Sequence, residues 1–187
     1  RRRPYPALMD LRKHCLLAMP HQTGFFQDTL IVMCEHDAQG ALGFVVNKPI
    51  DLNLAKIMAE VDLPEHADDE LTRVYSGGPV ENERGFVLSR EAIGQSTAPF
   101  DGLHVTGHSG DLIDARRALH ASQALFVLGY AGWDAGQLDQ EMADNAWLSV
   151  PYDPDFLFKT PSAARYERAL TPLGIQRHQL SQFAGRA

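Results

Sequence analysis

Leu125-Phe126-Val127-Leu128-Gly129-Tyr130-Ala131-Gly132-Trp133-Asp134-Ala135-Gly136-Gln137-Leu138-Asp139-Gln140-Glu141, running on to Asn145 and Trp147, decides how the rest of the chain is read. The apolar run 125–128 has the length and residue types of a buried strand bounded by glycine. Gly129, Gly132 and Gly136 follow, interleaved with Tyr130 and Trp133, and predict a tight glycine-rich turn that hands the chain to a helix. With Asp134 as the N-cap, Gln137 at N3 completes a capping box and Trp133 staples onto Leu138, each worth about 1 kcal/mol. A glycine turn opening a helix also points N–H groups at any anion. The spacing here matches neither the dinucleotide nor the P-loop fingerprint, and Asp134 and Asp139 compete with a phosphate for the same donors. Gln137, Glu141 and Asn145 stand one turn apart, a polar stripe that lines a cleft or, in the plainer reading, faces solvent.

Outward from this stretch the chain alternates strands and helices irregularly. Residues 15–19 and 29–34 read as buried strands, and Asp37-Ala38-Gln39-Gly40 carries turn chemistry between the second strand and the run 41–46, predicting a hairpin. Asn47-Lys48-Pro49 ends that strand, because proline cannot donate to a ladder. Asn53 caps a helix whose Leu54, Ile57, Met58 and Val61 share one face. Residues 62–70 are acidic, contain Pro64 and predict an exposed connection. Ser76-Gly77-Gly78-Pro79-Val80 reads as a turn in which paired glycines permit close backbone approach, before strands at 85–88 and 103–106. A helix over 112–120, capped by Ser109 or Asp111, buries Leu112, Ile113 and Leu119 and exposes Arg116 and Arg117. A strand over 147–150 stops at Pro151, and Pro161 opens a last helix holding Ala164, Tyr166 and Leu170. Lacking a steady βαβ rhythm, this order predicts an α+β fold with a mixed sheet.

The 187 residues form one domain on this reading, with 1–13 and 175–187 peripheral or frayed, and 44% hydrophobic residues suffice for a core. No apolar run reaches the roughly 20 residues that cross a bilayer, so no membrane partner is expected. Arg1-Arg2-Arg3 is followed by Pro4, Pro6, Asp10, Arg12 and Lys13, which interrupt any signal-peptide core. Cys15 and Cys34 sit in apolar segments as free thiols would, which predicts a reducing, cytoplasmic setting. A net charge of -7 repels phosphate backbones and argues against direct nucleic-acid binding.

Gly107-His108-Ser109-Gly110-Asp111 follows a strand and precedes a helix, as a nucleophile elbow does. Its second glycine stands one residue too close to Ser109, so a cap is the better reading. Cys34 and His36 make half of a metal site with no spaced partners, which predicts a structural His36, no metal and no cofactor.

Taken together, these residues resemble the AlgH/YqgE family of bacterial proteins. The likeness rests on Glu35-His36, Gly40-Ala41-Leu42-Gly43, Asn47-Lys48-Pro49, Gly77-Gly78-Pro79-Val80, Gly129-Tyr130-Ala131-Gly132-Trp133, Gly136-Gln137-Leu138, Glu141 and Asn145-Ala146-Trp147. Asp139 stands where the family has Glu. The resemblance implies a bifurcated mixed sheet closed into a pseudo-barrel with surrounding helices. It implies no activity; the family carries a transcriptional-regulator label. The expectation is a non-enzymatic binding or regulatory protein whose partner is a protein or small molecule, with Asn47, Gly77, Gly78, Pro79, Tyr130, Gly132, Trp133, Gln137 and Glu141 converging on one surface. The alternative is a small-molecule-binding protein or metal-independent enzyme with a polar pocket around Asn47, Gln137 and Glu141.

Overall fold

A computed structural model describes residues 9–181. Strands β1 (His14–Ala18), β2 (Leu30–Asp37), β3 (Gly40–Val45) and β4 (Pro49–Asn53) lead into helix α1 (Leu54–Glu60). Four more follow, β5 (Arg73–Ser76), β6 (Val80–Ser89), β7 (Thr97–Phe100) and β8 (Leu103–Thr106), then α2 (Leu112–His120). The chain continues through β9 (Ala124–Asp134), α3 (Gln137–Ala143), β10 (Trp147–Pro151), α4 (Pro154–Lys159) and α5 (Arg165–Leu170). The fold is α+β: the sheet curls into a half-barrel with helices around it. Along its main path the order is β10-β1-β2-β3-β9-β6-β8-β7, with β4 and β5 branching off at β9.

The branch lies in the glycine stretch, which is not the turn that the sequence predicts. Residues 129–134 are not a turn but the second half of β9. Its first half pairs parallel to β5 through Val74↔Phe126 to Ser76↔Leu128, and antiparallel to β6. Beyond Gly129, which takes φ 76, β3 replaces β5 as the neighbour, from Gly43↔Ala131 to Gly40↔Asp134. Periodicity could not show this, because a strand that changes partners needs glycine where the ladders diverge, just as a turn does. The turn is only the short segment at 135–136, where Gly136 takes the left-handed conformation and precedes α3.

Asp134 therefore does not cap α3 with its side chain, but half of the predicted box is present: Gln137 Oε1 accepts the Asp134 N–H at 3.0 Å. Trp133 and Leu138 are both buried in one apolar cluster, but with Gly136 as the N-cap they do not occupy the positions of a staple. Gly77 and Gly78 make the close approach that their pairing predicts. A Cβ on Gly77 would lie 2.3 Å from the Gly129 carbonyl oxygen, and one on Gly78 would lie 2.0 Å from the Tyr130 carbonyl carbon.

The β2–β3 hairpin forms through Asp37↔Gly40, and β1 lies antiparallel between β2 and β10. Helix α1 begins at Asn53, whose side chain accepts the Lys56 N–H at 3.2 Å, and it turns Leu54, Ile57 and Met58 inward. Full burial of such side chains contributes roughly 1.5–3 kcal/mol each. Val61, predicted on the same face, falls past the helix end and is exposed. In α2, Leu112, Ala115 and Leu119 face the core while Ile113 is exposed, which reverses the expectation for Ile113.

The connection over 62–70 also departs from prediction. It contains a 3-10 turn, Ala67–Leu71, whose Asp69 is 0% exposed and meets His120 Nε2 at 2.6 Å and Arg116 Nη2 at 3.3 Å. Arg116 is consequently held inward rather than exposed. A buried carboxylate needs such partners, and those on α2 lie too far along the chain for local patterning to reveal them. Helix α4, unpredicted, starts where Asp153 accepts the Asp155 N–H and Pro154 occupies the first turn. Leu11 and Leu180 are both buried, so the peripheral segments are anchored within the described residues; residues 1–8 and 182–187 lie outside them. No helix among the described residues is long and apolar enough to cross a membrane.

Candidate functional site

The residues singled out in the sequence are brought near one another in backbone but not into one cavity. Val45 N–H donates to Gly77 O at 2.8 Å, Ser76 N–H to Lys48 O at 2.9 Å and Gly77 N–H to Leu128 O at 2.7 Å, so the Asn47, Gly77 and Gly129 segments adjoin. Their side chains diverge. Asn47 accepts the Leu30 N–H and donates to Asp28 O, both at 2.8 Å, and lines a cavity with Lys48, Tyr166, Glu167 and Arg177. Gln137 and Glu141 are not among its lining residues.

Glu141 Oε1 accepts the Trp147 indole N–H at 3.3 Å, beside an aromatic cluster in which Trp133 and Trp147 meet edge to face, while its Oε2 is buried without a partner among the described residues. Tyr130 packs edge-on against Phe86, and burial together with the Glu81 carboxylate raises its phenol pKa. Gly132 lies exposed on β9, and Pro79 links the close Gly78 crossing to β6. His36 is structural: its Nδ1 accepts the Leu11 N–H at 3.0 Å and its Nε2 faces Asp139 Oδ1 at 3.0 Å. Burial raises the Cys15 thiol to about 12 and moves Cys34 upward too, so both remain protonated at neutral pH.

A better-formed site lies on the other side of the β9 bend. Between β6 and β9 the register shifts between Val80 and Gly85, and the intervening residues 81–84 bulge outward, all exposed, with Glu81 at φ 44. Gly129 makes room for the bulge, since a Cβ there would lie 3.0 Å from Asn82 Cα. The bulge forms one wall of a cavity of about 550 Å³. Val87, Phe126 and Leu128 contribute apolar surface from the sheet, with Leu52, Ile57 and Leu112 from β4, α1 and α2. Gly85 lets the strand pass over Phe126, whose Cζ would lie 2.4 Å from a Cβ. The polar lining combines Asn82, Glu83 and Arg84 with Glu60 and with Gly107-His108-Ser109, the loop that looked like a failed nucleophile elbow. Arg84 sits over the Phe86 ring at 4.9 Å, which orients its guanidinium at the bulge.

That loop is held by Asp111 rather than made reactive by it. Asp111 Oδ2 accepts the Thr106 hydroxyl at 2.6 Å and the Gln95 N–H at 3.0 Å, and Thr106 Oγ1 accepts the His108 N–H at 3.2 Å. The Thr106 bond leads in holding the Asp111 carboxyl below the usual carboxylate range, helped by the Gln95 N–H and His108 and opposed by burial. A depressed folded pKa gives stability present above the unfolded value, about 3.9, and lost as pH falls through the lower folded value. Asp111→Asn should therefore destabilise the protein more at pH 7 than at pH 3 in urea titrations. An equal loss at both would contradict the assignment.

The AlgH-like family model matches residues 15–178. A UPF0301 protein of Pseudomonas putida strain GB-1 is 41% identical over 182 residues, covering 95% of this chain and 96% of that one. Another from Vibrio vulnificus strain YJ016 is 40% identical over 187 residues, covering 96% and 100%. The solution structure of the AlgH protein from Pseudomonas aeruginosa superposes with a TM-score of 0.74 at 37% identity, covering 100% of this chain and 98% of that one. The crystal structure of protein DIP2367 from Corynebacterium diphtheriae shares the fold, with a TM-score of 0.69 at 19% identity over 92% and 90% of the two chains. This α+β chain belongs to the AlgH-like family.

Proposed function

We propose that the chain is a non-enzymatic cytoplasmic binding protein whose regulatory role runs through a small amphipathic molecule held in the 550 Å³ cavity. The observation that carries this reading is the division of the cavity lining: apolar side chains from the sheet and helices, and polar groups from the β6 bulge and the 107–109 loop. Such a concave, largely apolar site with a few placed polar groups is the usual form of a small-molecule site. An apolar body would lie on Val87, Phe126 and Leu128, with a polar end toward Arg84, His108 and Ser109. Catalysis is not part of the reading, because Asp111 is occupied by Thr106 and the Gln95 N–H instead of orienting a histidine. Direct DNA contact is not part of it either, given the net charge of -7.

A thermal-shift screen against nucleotides, phosphosugars and acyl carboxylates tests the proposal. An acyl carboxylate is expected to raise Tm; at a hundredfold excess over Kd the gain is about 2.7 kcal/mol, or roughly 5–11 °C for a chain of this size. Arg84→Ala should reduce that shift without lowering the ligand-free Tm. No stabilisation by any class would overturn the reading, and a salt-dependent shift of duplex DNA would replace it.

A further inference from the structure

We infer that His66, Asp68 and His120 form a binding site for a divalent transition-metal ion that favours imidazole ligands, such as Zn²⁺, linking the 3-10 turn at 67–71 to α2. The expectation of no metal rested on spacing along the chain, and these ligands come from two elements that only the fold joins. One ring nitrogen of each histidine and a carboxylate oxygen of Asp68 all lie within 4.8 Å of one another. The two imidazole rings are 5.1 Å apart, and both line a shallow opening with Asp68. Tetrahedral zinc with bonds of about 2.0–2.1 Å places its ligand atoms roughly 3.3 Å apart. The cluster must therefore draw together by about 1.5 Å. His66 and Asp68 have side chains 53% and 59% exposed, so rotamer changes at the surface can supply that movement.

His120 already has the support that metal-binding histidines require. Its Nε2 is 2.6 Å from Oδ1 of Asp69, a carboxylate with no exposed surface. With Nε2 turned to this carboxylate, Nδ1 is the ring nitrogen left for a metal and the ring is fixed, the arrangement that orients histidine ligands. Arg116 and Arg117 both line the opening, and the same Asp69, 3.3 Å from Arg116, offsets the charge of Arg116. Two imidazoles and one carboxylate are donors of the class that suits zinc, and water would complete the coordination. Metal binding would fasten residues 66–69 to α2, adding a second tie to the one Asp69 makes.

Titration of the tag-free chain with Zn²⁺ by calorimetry, and with Co²⁺ by visible absorption, tests the site. The expected result is one ion per chain with a tetrahedral Co²⁺ spectrum and a rise in Tm. His66→Asn keeps a side-chain oxygen to accept the Asp68 N–H, which His66 Nδ1 now accepts at 3.1 Å, while removing the imidazole. Asp68→Asn changes an exposed carboxylate, so the variant should fold as the parent does. Each should weaken metal binding at least tenfold with the metal-free Tm unchanged, whereas His21→Asn should bind as the parent does. No uptake at equimolar Zn²⁺, undiminished affinity in both variants, or stabilisation by inorganic phosphate but not by zinc would overturn the inference.

Discussion

Gly78→Ala should lower the unfolding free energy by about 4 kcal/mol or more, in the exceptional tail of single substitutions. A Cβ at Gly78 would stand 2.0 Å from the Tyr130 carbonyl carbon, 2.1 Å from its oxygen and 2.4 Å from the Ala131 nitrogen. All three are backbone atoms in the strand that joins the two branches of the sheet, so no side chain can rotate aside. The residue also has φ 155, outside the range most side chains adopt. For a chain of this length, the loss corresponds to a fall in Tm of roughly 8–16 °C. Gly136→Ala serves as the internal comparison, because Gly136 has φ 76 but nothing among the described residues within 4 Å of its Cβ position. Only the left-handed conformation opposes that change, at about 1–2 kcal/mol. Equal losses at the two positions would show that backbone crowding is not what holds the 77–79 segment against β9.

Arg165→Met should cost about 3–5 kcal/mol, since it leaves several buried carbonyls without a donor at roughly 1–3 kcal/mol each. Arg165 is 4% exposed, and among the described residues no carboxylate forms an ion pair with it. Its Nε donates to Leu157 O and Thr160 O, and its Nη1 to Val46 O, while the guanidinium lies 5.4 Å from the Tyr75 ring centre. One side chain thus ties α5, the end of α4 and the segment after β3. Arg165→Lys retains charge but cannot span the same acceptors from a single terminal nitrogen. It is expected to recover only a minor share of the loss in denaturant titrations. A Met variant as stable as the parent would mean that these carbonyls find water instead.

The candidate site was less legible than the fold. In the sequence Gly107-His108-Ser109 reads as chemistry that its spacing does not complete. Its role in walling a cavity depends on the β6 bulge, and the signal for that bulge was the polar run 81–84 inside an otherwise regular strand pattern. Gln137 and Glu141 looked like cleft residues because a polar stripe on one helix face says nothing about which neighbour covers it. In the structure they accept the Asp134 N–H and the Trp147 indole, joining α3 to the adjoining strands. Asp69, His66 and His120 gave no local signal, since charged residues in an acidic connection look the same whether solvated or buried beneath a distant helix.

By itself the sequence determined the hairpin at 37–40, the capped helix from Asn53, the need for glycine at 77–78 and the α+β class, all consequences of local backbone preference and short-range periodicity. Only the tertiary structure decided that Gly129 bends a strand between two ladders, that the resulting bulge encloses a cavity, and that Asp69 is buried under α2. The physical reason is that these depend on which distant backbone or charge arrives as a neighbour. Glycine at a turn and glycine at a diverging ladder make the same local demand, and long-range pairing alone tells them apart.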